Sequence, residues 1–376
     1  MAHAYTPGLR VAKQTVLRKS RILPLKGEVL KKIGDQVLRD DIVARTDLPG
    51  NVKTINVVNL LGIMPNEIND YMLKKEGDKV KRDEVIAESK SFISWFKSKV
   101  TSPIDGSIES ISPVTGQVLL REPPLPVEVQ AYLNGKVVET IEGEGIVLET
   151  TATFIQGIFG IGGEVWGKLR FAVNAPDEEL SSDKLDESYK NSVIVGGAFA
   201  SFEAIKKAIK VGAKGLIVGG IRDGDLRQLL GYDLGVAITG TEEVGITLLL
   251  TEGFGKISMA DRTYKTLKLR EGEVASISGA TQIRAGVIRP EIIIPYNDND
   301  IDLSKGDDGE NRQSVQVGDI IRVIRQPYFG RLGTVHALPP ELRQIESETK
   351  ARILEVKFHE GDIAVIPRAN IELIEE

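Results

Sequence analysis

The sequence predicts a multidomain α+β protein rich in β structure, and three observations carry that expectation. One turn-and-strand phrase occurs twice in the first third, residues 190–295 alternate short apolar strands with an amphipathic helix, and the C-terminal stretch places Gly-Asp turns before valine- and isoleucine-rich strands. At 376 residues the chain exceeds what a single ordinary core organises, so about two to four domains are expected. The pattern changes divide it into residues 1–122, 123–180, 190–295 and 311–376.

Composition narrows the function classes. With 48 Lys and Arg against 54 Asp and Glu the net charge is -6, which argues against a protein coated in nucleic acid, because such binding is driven by clustered cations displacing counterions from phosphates. Any contact with RNA is expected to be local, and no DNA-specific site is expected. There is no cysteine, which removes disulfides and thiolate chemistry and fits a reducing compartment. The three histidines, His3, His336 and His359, lack zinc-site spacing. No metal or cofactor is expected. The start, Met-Ala-His-Ala-Tyr, has no basic-then-apolar signal, and no run reaches the roughly 18 to 20 apolar residues of a membrane span. A cytoplasmic protein without a membrane partner is therefore expected.

The duplicated phrase is Ile33-Gly-Asp-Gln-Val-Leu-Arg-Asp-Asp-Ile-Val-Ala-Arg45, matched by Glu76-Gly-Asp-Lys-Val-Lys-Arg-Asp-Glu-Val-Ile-Ala-Glu88. In each, glycine supplies a positive φ, aspartate bonds the local backbone, and β-branched residues follow as a strand. After the second copy, Thr101-Ser-Pro-Ile-Asp-Gly-Ser-Ile adds a hairpin-type turn at Asp105-Gly106, and Gly116 adds another. These phrases, in this order over residues 21–120, resemble the barrel-sandwich hybrid of lipoyl and biotinyl domains. In carrier members of that family a lysine on the hairpin between the phrases bears the cofactor, which implies Lys90 as a modification site. Its flanks, Glu88-Ser-Lys-Ser, follow neither the Met-Lys-Met nor the Asp-Lys-Ala pattern. The favoured reading is an unmodified exposed lysine beside Phe92, Trp95 and Phe96.

Arg121-Glu-Pro-Pro-Leu-Pro126 reads as a break, followed by short strands with turns at Asn134-Gly135 and Gly143 to Gly145. Gly157-Ile-Phe-Gly-Ile-Gly-Gly163 lacks the Lys-Ser/Thr of a nucleotide loop and is read as turns and close backbone packing. The acidic stretch Asn174 to Lys190 reads as a linker. Ser192-Val-Ile-Val-Gly-Gly197, a helix capped by Ser201, and Lys214-Gly-Leu-Ile-Val-Gly-Gly220 then form a βαβ unit, a small parallel-sheet α/β module.

In open parallel sheets ligands sit beyond the C-terminal strand ends. That rule nominates Gly196, Gly197, Gly219, Gly220, Thr239 and Gly253 as possible ligand-binding positions, with Arg222, Asp223, Glu242, Glu243 and Glu252 as the polar residues at hand. No pairing of nucleophile and base accompanies them, so no catalytic residue is assigned.

At the C-terminus, Val317-Gly-Asp-Ile-Ile-Arg-Val-Ile-Arg-Gln-Pro-Tyr-Phe-Gly-Arg-Leu-Gly-Thr-Val335 resembles a KOW motif, and the strands after it complete the pattern of an SH3-like barrel. Residues 338–350 read as a charged insertion, helical or looped. The KOW family occurs in ribosomal proteins and transcription elongation factors, where the barrel binds RNA, polymerase or other proteins. The resemblance implies a contact loop of Arg325, Gln326, Tyr328, Phe329 and Arg331, with Pro327 among them. Guanidinium groups pair with phosphates and stack on bases, aromatic faces accept stacking, and the same set serves a protein hot spot.

The expected function is non-enzymatic: a binding or assembly protein that contacts a ribosome or RNA polymerase component, RNA, or another copy of itself through the C-terminal barrel. The alternative is a small-molecule sensor or enzyme built on the glycine-edged α/β module.

Overall fold

The computed structural model describes residues 9–90, 98–232, 242, 244–281, 288–297, 315–323, 327–328, 331–339, 342–344, 350–358 and 361–374. The chain is β-rich and its strands form several sheets, the largest of 13 strands. That sheet runs in the order Phe159–Ile161, Thr247–Phe254, Gly215–Ile221, Ser192–Val195, Glu164–Phe171, Val274–Ser278, Glu291–Pro295, Gly145–Gln156, Gly135–Ile141 and Gln36–Val37, with the long Val11–Ile22 strand also pairing along Gly145–Gln156.

The βαβ expectation holds. Ser192–Val195 and Gly215–Ile221 are parallel, with Val193 opposite Gly215, and Thr247–Phe254 continues the parallel set. Apolar runs without alternation suit strands covered on both faces, and every residue of Ser192–Val195 and Gly215–Ile221 is buried. Between them lies the Phe202–Lys210 helix. The Ser201 side chain accepts a hydrogen bond from the Ala204 N–H at its start, and Ala204, Ile205 and Ala208 face the core.

The acidic stretch after Val173 is not a linker. Glu179–Leu180 pairs in parallel with Phe199–Ala200, and Leu180 and Leu185 are buried in the main core. Two of its carboxylates meet donors within the stretch. Glu178 accepts from the Lys184 ammonium and from the Asn174 N–H, and Asp186 accepts from the Ser188 hydroxyl and then from the Ser188 N–H; these bonds hold both carboxyls below the usual carboxylate range.

The duplicated phrase marks a duplicated structural unit, and the two copies are nested. Around the first, the Gly34 N–H donates to Val137 O (2.8 Å), the Val137 N–H to Asp35 O (2.9 Å) and the Leu30 N–H to Val43 O (2.9 Å). Around the second, Gly77 donates to Ile108 (2.8 Å), Ile108 to Asp78 (2.9 Å) and Leu73 to Ile86 (2.8 Å). The turn before Gly135 takes the Arg39 N–H on Asn134 Oδ1 at 3.0 Å, and the turn before Gly106 takes the Arg82 N–H on Asp105 Oδ1 at 2.9 Å.

Thus Ala131-Tyr-Leu-Asn-Gly-Lys-Val137 completes the first copy as Ser102-Pro-Ile-Asp-Gly-Ser-Ile108 completes the second. The second copy lies entirely between the strands Ile42–Leu48 and Leu125–Gln130, which pair with each other from Leu48–Leu125 to Ile42–Gln130. The two stems meet at Gly50, where a Cβ would lie 2.1 Å from Glu122 O. Each copy has its own apolar cluster, Val37, Val43, Leu133, Val137 and Leu148 in the first and Val80, Ile86, Ile104, Ile108 and Leu120 in the second.

The proline-dense break is also a strand entrance. Pro126 sits opposite Asp47 at the start of the outer strand of a three-stranded sheet, where a missing N–H costs no ladder bond.

At the C-terminus a six-stranded antiparallel sheet joins Leu342–Gln344, Lys350–Phe358, Leu332–Ala337, Ile320–Val323 and Ile371–Ile374 in that order, with Ile363–Pro367 on Lys350–Phe358. Part of the expected charged insertion is therefore strand, since Leu342–Gln344 pairs with Lys350 to Arg352. Ile321, Val323, Val335, Leu354, Val356, Phe358 and Ile371 bury its inner face.

Candidate functional site

The C-terminal loop that the sequence nominates for partner contact opens directly from the Ile320–Val323 strand and closes onto Leu332–Ala337. The Val323 N–H donates to Arg331 O at 3.0 Å and the Arg331 N–H to Tyr328 O at 3.1 Å, so both ends of the loop are tied by backbone. Tyr328 is half-buried, with its ring 5.3 Å from that of Phe358. Over them lies the Arg331 guanidinium, 4.0 Å from the Phe358 ring centre and 5.8 Å from that of Tyr328. Its side chain keeps 33% of its surface exposed and has Asp362 at 4.0 Å. A cation stacked on rings presents a rigid edge to a partner at little conformational cost. Arg325, Gln326 and Phe329 lie outside the described residues.

The glycines at the parallel-strand ends are all buried. A Cβ on Gly219 would lie 2.2 Å from Ile257 O, and one on Gly220 would lie 2.2 Å from Gly255 O. Gly197 approaches Glu178 O in the same way at 2.3 Å, while Gly196 faces Leu180 and Val218 at 3.0 Å. These glycines bring the chain against itself. Gly253, at φ 142, lies within the last parallel strand and pairs with Gly220. Thr239 lies outside the described residues.

Next to Gly253 the Glu252 carboxylate is buried, and sequence reasoning did not foresee its partner. Arg322, from the C-terminal sheet, donates through Nη1 to Glu252 O at 2.7 Å and through Nη2 to Glu252 Oε2. Glu252 Oε1 accepts from the Ala260 N–H at 2.9 Å, at the entrance of the Asp261–Lys268 helix. Alternation in Ile321-Arg322-Val323 turns Arg322 away from its own sheet's core, where an arginine usually meets water; only its 7% exposure reveals that another surface covers it.

Lys90 is exposed at the end of the hairpin formed by Val85–Glu88 and Lys99–Thr101, with its ammonium 5.1 Å from the Tyr71 ring centre. The neighbouring Phe92, Trp95 and Phe96 lie outside the described residues.

Two cavities lie elsewhere. One of about 540 Å³ is lined by Arg21, Gln130, Glu164 and Trp166, and Arg21 fills its wall with a two-pronged bond to Glu164, 2.7 Å on each prong. Tyr132 lies under Arg21 with φ 70, fully buried, and burial pushes its phenol well above its usual range. The other, about 870 Å³, runs between Arg39, Lys136, Glu149, Glu273 and Tyr296. Its acids are already matched, Glu149 by Arg18 and Glu273 by Arg270.

Among the described residues no group of three or more His, Cys, Asp or Glu is placed to hold a metal ion, and no helix is long and apolar enough to cross a membrane. Compared with known families and with curated proteins, the chain matches no family model and no curated sequence.

Proposed function

We propose that the protein is a cytoplasmic, non-enzymatic binding or assembly protein. In this reading the nested N-terminal units and the large sheet form a scaffold, and the C-terminal sheet, a KOW-like SH3-type barrel, contacts a macromolecular partner. The observation that carries the reading is the stack of the partly exposed Arg331 and Tyr328 on the buried Phe358, with the loop ends held by backbone bonds. Rigid arginine and aromatic side chains are the residue types in which interface energy concentrates.

A protein surface, such as a component of the transcription or translation machinery, suits this loop better than bare phosphate. Asp362 beside Arg331 lowers the local positive potential that draws nucleic acid. The backbone packing of Gly197, Gly219 and Gly220 supports a scaffold role for the α/β region over a sensor or an enzyme.

Capture of native complexes on the full chain, with and without ribonuclease, tests the partner class. Retention of the same partners after digestion is the expected result. Their complete loss would overturn the protein-partner reading in favour of RNA.

A further inference from the structure

A carboxylate and a guanidinium from two different sheets are buried against each other at the C-terminal edge of the parallel strands. Glu252 and Arg322 are each 7% exposed. Glu252 is the last charged residue of the Thr247–Phe254 strand, followed by Gly253 and Gly255 at φ 142 and 111. It ties three parts together: its own strand, the Asp261–Lys268 helix through the Ala260 N–H, and the Ile320–Val323 strand through Arg322. In parallel sheets this edge is where ligands gain access, and Arg322 occupies it.

The energetics of such a pair are particular. Taking two charges out of water costs nearly what their attraction returns, so a buried ion pair fixes geometry strongly while adding little net stability. When the two surfaces separate, both charges regain water and the cost is recovered. A contact of this kind holds a docked arrangement in one register without making release prohibitive.

The position of Arg322 also links it to the contact loop. Its neighbour Val323 donates a backbone bond to Arg331, so Arg322 lies beside the residue that anchors one end of the loop.

We propose that the C-terminal sheet is a releasable clasp on the α/β sheet, with Arg322 seated on Glu252 as its catch, and that release uncovers the Glu252 carboxylate beside the already exposed Phe254.

The absence of cysteine allows clean double labelling of the full chain. Spin labels at Lys265→Cys and Val365→Cys, on an exposed face of the Asp261–Lys268 helix and on the Ile363–Pro367 strand, report the separation of the two bodies. With the native pair, one narrow distance distribution is expected. Arg322→Met and Glu252→Gln should each broaden it toward longer distances while amide exchange within both sheets stays slow. If Arg322→Met also speeds exchange in its own sheet, Glu252→Gln decides, since its amide oxygen still accepts from Ala260. A distribution unchanged by Glu252→Gln, or already broad with the native pair, would overturn the clasp.

Discussion

Lys31 Nζ lies 2.9 Å from Asp41 Oδ2, and the same contact recurs at the matching position of the second copy, where Lys74 Nζ lies 2.6 Å from Glu84 Oε1. In both copies the acid also accepts a backbone N–H at the start of its turn, from Leu38 and from Lys81. The side-chain bonds to lysine come first, and the backbone bonds second, in holding both carboxyls below their ordinary range. Duplication has thus preserved a turn's electrostatics along with its apolar residues.

That relationship sets a pH dependence. A carboxyl with a lowered folded pKa binds fewer protons folded than unfolded, so its contribution is complete above the ordinary carboxylate range and is lost as pH falls through that range and below it. Asp41→Asn with Glu84→Gln should therefore lower the melting temperature on the plateau near neutrality and flatten the acid limb, so that the variant and wild-type curves converge at low pH. An acid limb of unaltered slope would show that these turns do not contribute.

The nesting predicts separable unfolding. Ile108 and Val137 occupy equivalent buried positions in the two copies. Ile108→Ala should cost about 2–5 kcal/mol and speed amide exchange in residues 50–122 while the first copy stays protected. Val137→Ala should loosen the first copy's cluster and leave the inserted one slow. Equal loss of protection in both copies after Ile108→Ala would mean that the inserted unit does not fold on its own account.

Two glycines in one region should respond oppositely to the same change. Gly220→Ala places a methyl 2.2 Å from Gly255 O, and such overpacking costs about 1–3 kcal/mol. Gly224, in the Asp223–Leu230 helix, has open space where its Cβ would be, and Gly224→Ala should raise stability by up to about 1 kcal/mol. Denaturant titration of both variants checks the contrast; equal effects would remove the packing explanation.

The Arg322–Glu252 contact has a thermodynamic signature of its own. Arg322→Met alone strands a buried carboxylate and should cost about 3–5 kcal/mol if the sheets stay docked, whereas Arg322→Met with Glu252→Leu should recover most of it. A double variant as unstable as the single would argue that the surrounding apolar packing, not the charge, is what matters.

Local features were legible in the sequence where the determinant is local. The Gly-Asp turns at Gly34, Gly77 and Gly318 have φ 97, 87 and 98, as the glycine requirement predicts. Periodicity identified the βαβ unit around Ser201, whose cap and crossover depend on neighbours a few residues away. Long-range pairing was not legible. Leu48 meets Leu125 across the whole inserted copy, so a reading along the chain grouped residues 21–120 as one unit although the first copy is completed beyond Pro126.

The acidic composition of residues 174–190 hid Leu180 and Leu185, because a mean over the stretch conceals two well-spaced apolar anchors. At the site the loop aromatics were visible as residue types. Glu252 was named only as a polar neighbour of the glycine edge, and Arg322 was one arginine in a strand. Nothing in either segment encodes that they meet.

Partner contact through the Tyr328–Arg331 stack is decided by the composition of native complexes captured on the full chain, compared with the same chain carrying Tyr328→Ala and Arg331→Ala. The variant is expected to stay folded, with a far-ultraviolet spectrum and a melting profile matching those of the wild-type chain, and to lose the macromolecular partners that the wild-type chain retains. Identical partners in both samples would contradict it.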